Sequence, residues 1–266
     1  HSMFYKPGMI SEKVVPYRAA LSGKGVVKMS DHSATIECPA DPANHFPAST
    51  LRVALPEGQP YIELELTIKD KALDNWPEAD WLCLPFKVNS PKFTIGRALG
   101  MLNPADIPAG ANRHLYAVGT GVTLTDADGS GIAVCPLDHP LISLDTPGIW
   151  KFDTTFVPKK PVVYLNLYNN QWNTNFRYWY PGTWSSRVRL WTFDKHATTD
   201  TALVTPALEA RLPLLAATAD GKGGALPTEQ AGISTSRKGI QVTAYGTDFN
   251  GNPGTLLRLW EMGGES

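Results

Sequence analysis

The sequence has no excess of either charge. Its 266 residues hold 24 Lys+Arg against 25 Asp+Glu, and charged residues reach only 18%. Without a basic surplus or a basic stripe, nucleic acid is not an expected partner. Long apolar runs are missing too: stretches such as Pro161 to Leu167 stop well short of the roughly 20 residues of a membrane-spanning helix. Cysteine is scarce. Cys38, Cys83 and Cys135 lie far apart with no C-x-x-C pair, so neither a zinc site nor a disulfide scaffold is implied. One disulfide plus a free thiol, or three buried thiols, both remain compatible with that spacing. His32, His45, His114, His139 and His196 are isolated, with no H-x-x-x-H, H-x-H or H-x-D string, so a local metal motif is absent. There is no G-x-S-x-G nucleophile elbow. Gly221-Lys222 departs from a phosphate loop twice, with Ala216 at the leading glycine position and Gly223 where Ser or Thr is needed. Long helices are lacking as well, because no window of about 12 residues keeps a 3.6-residue apolar period.

What is present is turn chemistry and alternation. Gly (23) and Pro (22) are frequent enough to break helices and bound short strands. In Tyr61 to Lys69 the side chains of Ile62, Leu64, Leu66 and Ile68 share one face, which predicts a half-buried strand. Further strands are expected over Thr50–Leu55, Trp81–Lys87, Leu115–Leu124, Gly131–Pro136, Val162–Tyr168, Ser186–Phe193, Gly239–Tyr245 and Thr255–Trp260. Such a series argues for an all-β sandwich or barrel. One helix is expected over Thr205–Leu215, with Pro206 in its first turn and Pro213 ending it. Asp126-Ala127-Asp128-Gly129-Ser130-Gly131 matches the first half of a calcium loop, but Leu137 stands where the bidentate Glu is required, so it reads as a hairpin turn. Asp248 to Gly254 reads as the loop of a terminal hairpin. His1-Ser2-Met3 reads as a tag remnant, with the natural N-terminus missing. The expected organisation is one sandwich domain over 4–266, with a loop-rich excursion at 194–236 and a C-terminal hairpin at 237–262.

Two segments carry candidate chemistry. Asn166 to Trp184 packs three tryptophans, three tyrosines and five asparagines into 19 residues. Alternation stops at Tyr168, so Asn169 to Pro181 is expected to form a loop whose aromatic and amide side chains cannot all be core. Aromatic faces stack on sugar C–H faces, and Asn, Gln and Arg pair with vicinal hydroxyls. The bland alternative is that the tryptophans anchor the loop or an interface while the asparagines satisfy turns. The second segment, Lys69 to Trp81, offers Asp70, Asp74, Glu78 and Asp80, the residue type that glycoside hydrolysis uses in pairs, although four clustered acids usually form a solvated loop. Glu63 and Glu65 read as a solvent face. Asp138-His139-Pro140 reads as a strand-end turn.

Asn169-Asn170-Gln171-Trp172-Asn173-Thr174-Asn175-Phe176 resembles the N-N-x-W-x-T-N-aromatic string in the C-terminal β region of α-mannosidase-like glycoside hydrolases, the family 38 group. Pro253 to Glu261 resembles the closing L-x-L-R-L-aromatic-E strand of that group, and Ala207 to Arg211 followed by Pro213-Leu214 is similar to its linker. The resemblance implies a large antiparallel β-supersandwich, galactose-mutarotase-like, with few short helices. It also implies an N-terminal catalytic domain, outside this chain, that carries the nucleophile and a zinc ion. No catalytic residue, metal ligand or cofactor is therefore expected here. Asn169, Asn170, Trp172, Thr174 and Asn175 are the substrate-side contacts it implies, and Arg177 and Trp179 join them from the composition of the loop. The implied partners are a mannose-containing glycan and the catalytic domain of the same chain; parents of this type are secreted, periplasmic or intracellular, the first two being favoured. Two alternatives stand beside it. One is an autonomous mutarotase-like epimerase or lyase using groups such as His114, His139, Asp70 or Asp138. The other is a lectin-like module with Trp172 and Trp179 as stacking platforms.

Overall fold

A computed structural model describes residues 23–73, 78–97, 100–148, 153–170, 181–218, 221, 223–225 and 227–264. Fifteen strands follow in chain order. They are β1 (Val26–Ser30), β2 (Ser33–Cys38), β3 (Ala48–Ala54), β4 (Ile62–Lys71), β5 (Ala79–Pro85), β6 (Lys92–Arg97), β7 (Gly100–Leu102) and β8 (Tyr116–Ala117). Then come β9 (Gly121–Thr125), β10 (Gly131–Pro136), β11 (Leu141–Leu144), β12 (Val162–Asn169), β13 (Gly182–Phe193), β14 (Ile240–Thr247) and β15 (Thr255–Glu261). With 45% strand and 9% helix, the chain is an all-β antiparallel sandwich.

One layer is a nine-stranded sheet, ordered β1-β2-β3-β4-β13-β10-β9-β6-β7, and the other has four strands, ordered β5-β12-β11-β8. Their facing sides interleave Val122, Leu124, Val134 and Val188 with Ile142, Leu144, Val163 and Leu165, all fully buried. The alternation read in β4 holds: Leu64 and Ile68 are buried, and Ile62 and Leu66 pack against buried clusters. A fully buried leucine contributes about 1.5–3 kcal/mol relative to exposure, so these rows hold the layers together.

The strand expected over Leu115–Leu124 is two strands. β8 belongs to the small sheet and β9 to the large one. The chain changes layer between them at Gly121, whose φ is +135° and where a Cβ would lie 2.3 Å from the Val134 carbonyl oxygen. Only glycine fits that crossing. The helix also departs from expectation. A π-helical turn, Asp200–Val204, runs into α1 (Thr205–Arg211), which stops short of Leu215. Leu212 leaves the helical region (φ −120°, ψ 71°) because the ring of Pro213 disfavours that region for the residue before it. This helical segment covers the outer face of the large sheet, where Leu203 and Ala207 pack on Ala133, Cys135 and Trp191. The Trp191 indole N–H donates to the Ala202 carbonyl at 2.8 Å.

β14 and β15 form a separate two-stranded sheet, whose ladder the buried Met262 extends by one bond, its N–H donating to Gly239 O at 2.8 Å. All three cysteines are free thiols; Cys135 is buried, Cys38 half-buried and Cys83 exposed. No helix among the described residues is long and apolar enough to cross a membrane.

Candidate functional site: the sandwich end at Tyr168

At one end of the sandwich both layers slip register. In β4 the two residues Lys69 and Asp70 oppose the single Thr183 of β13, between the pairs Ile68↔Trp184 and Lys71↔Gly182. Asp70 takes a left-handed conformation, φ +46°. Thr183 fixes the kink, its hydroxyl accepting from Asp70 N at 2.8 Å and donating to Asp70 Oδ1 at 3.1 Å. A one-residue slip exchanges the faces of a strand, and here it turns Lys71 inward, where only 8% of it is exposed. In β12, Leu167 is the extra residue between the pairs Asn166↔Trp81 and Tyr168↔Asp80. The Asn166 amide bridges that bulge, donating to Tyr168 O at 3.2 Å and to Asp80 O at 3.3 Å.

The two bulges bring polar groups between the layers. Buried Lys71 forms an ion pair with Glu78 and lies over the Tyr168 ring, 5.2 Å from its centroid. Asp80 lies two residues before Leu82 and four before Leu84 on the inward side of β5, and its carboxyl accepts no hydrogen bond among the described residues. Burial, reinforced by the nearby Glu78 charge and opposed by Lys71, pushes its carboxyl up to about 7. It therefore exchanges a proton near neutrality.

Beside this cluster lies a cavity of about 430 Å³ lined by His139, Pro140, Leu141, Asn166, Leu167, Tyr168, Asn169, Pro181 and Trp184. Tyr168 and Trp184 meet edge to face at 5.1 Å. His139 Nδ1 lies 2.9 Å from the buried Ser186 hydroxyl, and burial holds its imidazole below the ordinary value against the raising influence of Asp138. Asn169 Nδ2 donates to Asn166 Oδ1 at 3.1 Å. Two buried polar atoms of the lining, the Tyr168 hydroxyl and Asn169 Oδ1, have no hydrogen-bond partner among the described residues. Such atoms cost about 1–3 kcal/mol each unless something else satisfies them.

Of the residues expected to contact substrate, Asn169 is in the cavity wall. Asn170 is buried beside it in a structural role, its Oδ1 accepting from Glu78 N at 2.7 Å and its N–H donating to Glu78 O at 3.0 Å. Trp172, Thr174, Asn175, Arg177 and Trp179 lie outside the described residues, as does Asp74. The asparagine string and the acidic segment, far apart in sequence, thus meet at one place. His114 does not join them: it is buried elsewhere, stacked on Phe156 at 4.0 Å. The Asp138 carboxylate is taken by Arg187, at 2.8 Å to its N, 3.0 Å to Nε and 2.8 Å to Nη2, and Glu63 pairs with Arg189 at 3.0 Å. In the hairpin turn, Asp128 Oδ1 accepts from both the N–H and the hydroxyl of Ser130 while Asp126 Oδ2 accepts from Asn89 N. No group of three His, Cys, Asp or Glu side chains suited to a metal ion occurs among the described residues.

Sequence reasoning did not single out Lys71, Asn166, Trp184 or Ser186 as site residues. Asn166 carried a signal, as the one amide inside the apolar run Val162 to Leu167. Lys71 carried none, because its inward placement depends on the bulge. No protein-family model matches the chain, and a search of the curated proteins finds no match.

Proposed function

We propose that this chain is a carbohydrate-binding sandwich domain, the accessory part of an α-mannosidase-like glycoside hydrolase, and that its sugar site is the cavity beside Tyr168. One observation carries the reading. The cavity combines an aromatic wall, Trp184 and Tyr168, with the polar side chains of His139, Asn166 and Asn169. A sugar ring presents apolar C–H faces and hydroxyls together, so it fits both features. The resemblance of Asn169 to Phe176 and of Pro253 to Glu261 adds the family and the supersandwich class. Hydrolysis and the zinc ion belong, on this reading, to the catalytic domain, and no chemistry here runs through them.

The test pairs binding with turnover. Titration with methyl α-mannoside and mannose-containing oligosaccharides, followed by tryptophan fluorescence, is expected to saturate, and Trp184→Ala to weaken binding at least tenfold. Aryl α-mannosides with added Zn²⁺ are expected to be cleaved by the full-length parent and not by this chain. A second reading, an autonomous epimerase or lyase, draws on one feature, the Asp80 carboxyl that titrates near neutrality. Turnover of a free sugar by this chain, abolished in Asp80→Asn, would replace the first reading by the second.

A further inference from the structure

His139 has no assigned role, yet among the described residues it is the one imidazole in the lining of the cavity. It sits in the turn between β10 and β11, where the chain leaves the large sheet for the small one. Ser186, on β13, is 1% exposed and holds the ring through Nδ1 at 2.9 Å. That bond leaves Nε2 as the ring nitrogen with no partner among the described residues. The charges around it are already engaged. From its own turn, Asp138 is held by three donors of Arg187 on β13. Trp184 and Ser186 of β13 and the lining residues of β12 carry no formal charge. Beyond Tyr168, Lys71 of β4 is closed on Glu78, with Asp80 of β5 beside them.

We propose that the neutral imidazole of His139 contacts the ligand, that the cavity therefore selects neutral hydroxylated ligands over cationic ones, and that binding fails in acid. This rests on the carbohydrate reading above and specifies its site. With Nδ1 engaged by Ser186, the neutral imidazole presents Nε2 alone to a ligand, as donor or acceptor according to its tautomer, and a hydroxyl answers either role. Once protonated, the ring carries a charge that a bound ligand would cut off from water, and among the described residues only the Asp138 carboxylate, already held by Arg187, offsets it. By linkage, a ligand that prefers the neutral ring lowers its proton affinity, and protonation lowers the affinity for ligand by the same factor. The imidazole already sits below its ordinary 6.5, so loss of binding falls on the acid side of that value.

The experiment is calorimetric titration of methyl α-mannoside, methyl α-glucoside, methyl α-galactoside and the cationic mannosamine, between pH 7.5 and 4.5. Wild type and His139→Gln are compared, with imidazole NMR of His139 in the free and bound protein. Wild type is expected to bind a neutral glycoside about tenfold more weakly at the acid end, the scale of one lost or charge-penalised polar contact. His139→Gln, neutral at every pH, is expected to bind within a few-fold at pH 7.5 and to lose the pH dependence. The His139 resonance is expected to titrate below 6.5 and to move lower still with ligand bound. A wild-type affinity independent of pH, a pH slope that survives in His139→Gln, or mannosamine bound as tightly as the neutral glycosides overturns the inference and leaves the carbohydrate site standing. No binding of any glycoside by folded protein at any pH overturns both.

Discussion

The middle of the sandwich and its Tyr168 end are built from the same strands and differ in what they admit between the layers. In the middle, Val163 and Leu165 of β12 are fully buried against Val122, Val134 and Val188, and among the described residues no Asp, Glu, Lys or Arg belongs to that cluster. At the end, β4 and β12 each take one extra residue, and the inward groups become Lys71, Tyr168 and, from β5, Asp80. The difference is one of register. Polar chemistry enters the interlayer space where the ladder slips, and the slipped geometry is held by named groups, Thr183 on one bulge and Asn166 on the other.

That contrast can be broken by four substitutions. The largest effect belongs to the middle: Leu165→Ala is expected to cost about 4 kcal/mol in urea unfolding, because a fully buried leucine in a packed layer leaves a cavity that cannot collapse. A cost near zero would mean that the layers are not packed as described. Next is Lys71→Met, expected to cost about 3 kcal/mol because it leaves Glu78 buried without its partner. Stability unchanged by Lys71→Met would place the ion pair in solvent.

Asp80→Asn should act with the opposite sign. In the fold the carboxyl keeps its proton to about 7, whereas the unfolded chain releases it near 3.8, so the native state binds more protons across that window. Wild-type stability therefore falls as pH rises through it. Asp80→Asn removes the penalty and is expected to stabilise by on the order of 2 kcal/mol at pH 8. Near pH 4 the two proteins should melt together, and a gain as large there as at pH 8 would assign it to something other than the carboxyl. The smallest change is Tyr168→Phe, expected to stabilise by about 1 kcal/mol because it removes a buried hydroxyl that has no partner among the described residues. A loss above about 1 kcal/mol on that substitution would reveal a hydrogen bond that the description lacks.

Legibility in the sequence follows the same division. Where alternation runs unbroken it identifies strands and faces: Gly131–Pro136 has the expected bounds, and β4 buries the expected row. β1, β2 and β7 escaped because their residues are exposed or only partly buried, leaving no apolar alternation to read. β11 has only 4 residues, and β6 offers only Phe93 and Ile95 as alternating apolar positions, too few to show a period. The candidate site was legible as composition, in the asparagines around 169 and the acids around 78, but not as an assembly. Joining them takes the pairing of Asn169 with Ala79 and two bulges, and a one-residue insertion in a ladder has no counterpart in residue type.

The unequal size of the layers, nine strands against four, has its own consequence. β1 and β2 lie beyond the reach of the smaller sheet and contribute nothing to the buried clusters, so they hang from β3 like a cantilever, held by their ladder and by the Lys28–Glu37 pair at 2.8 Å. Every residue of β1 is exposed, and among the described residues no strand takes up the backbone groups of its outer edge. Such an eave frays first, strand by strand from the rim, long before the layers part. Lys28, at the midpoint of that rim, sets a charge where a foreign strand would otherwise zip on.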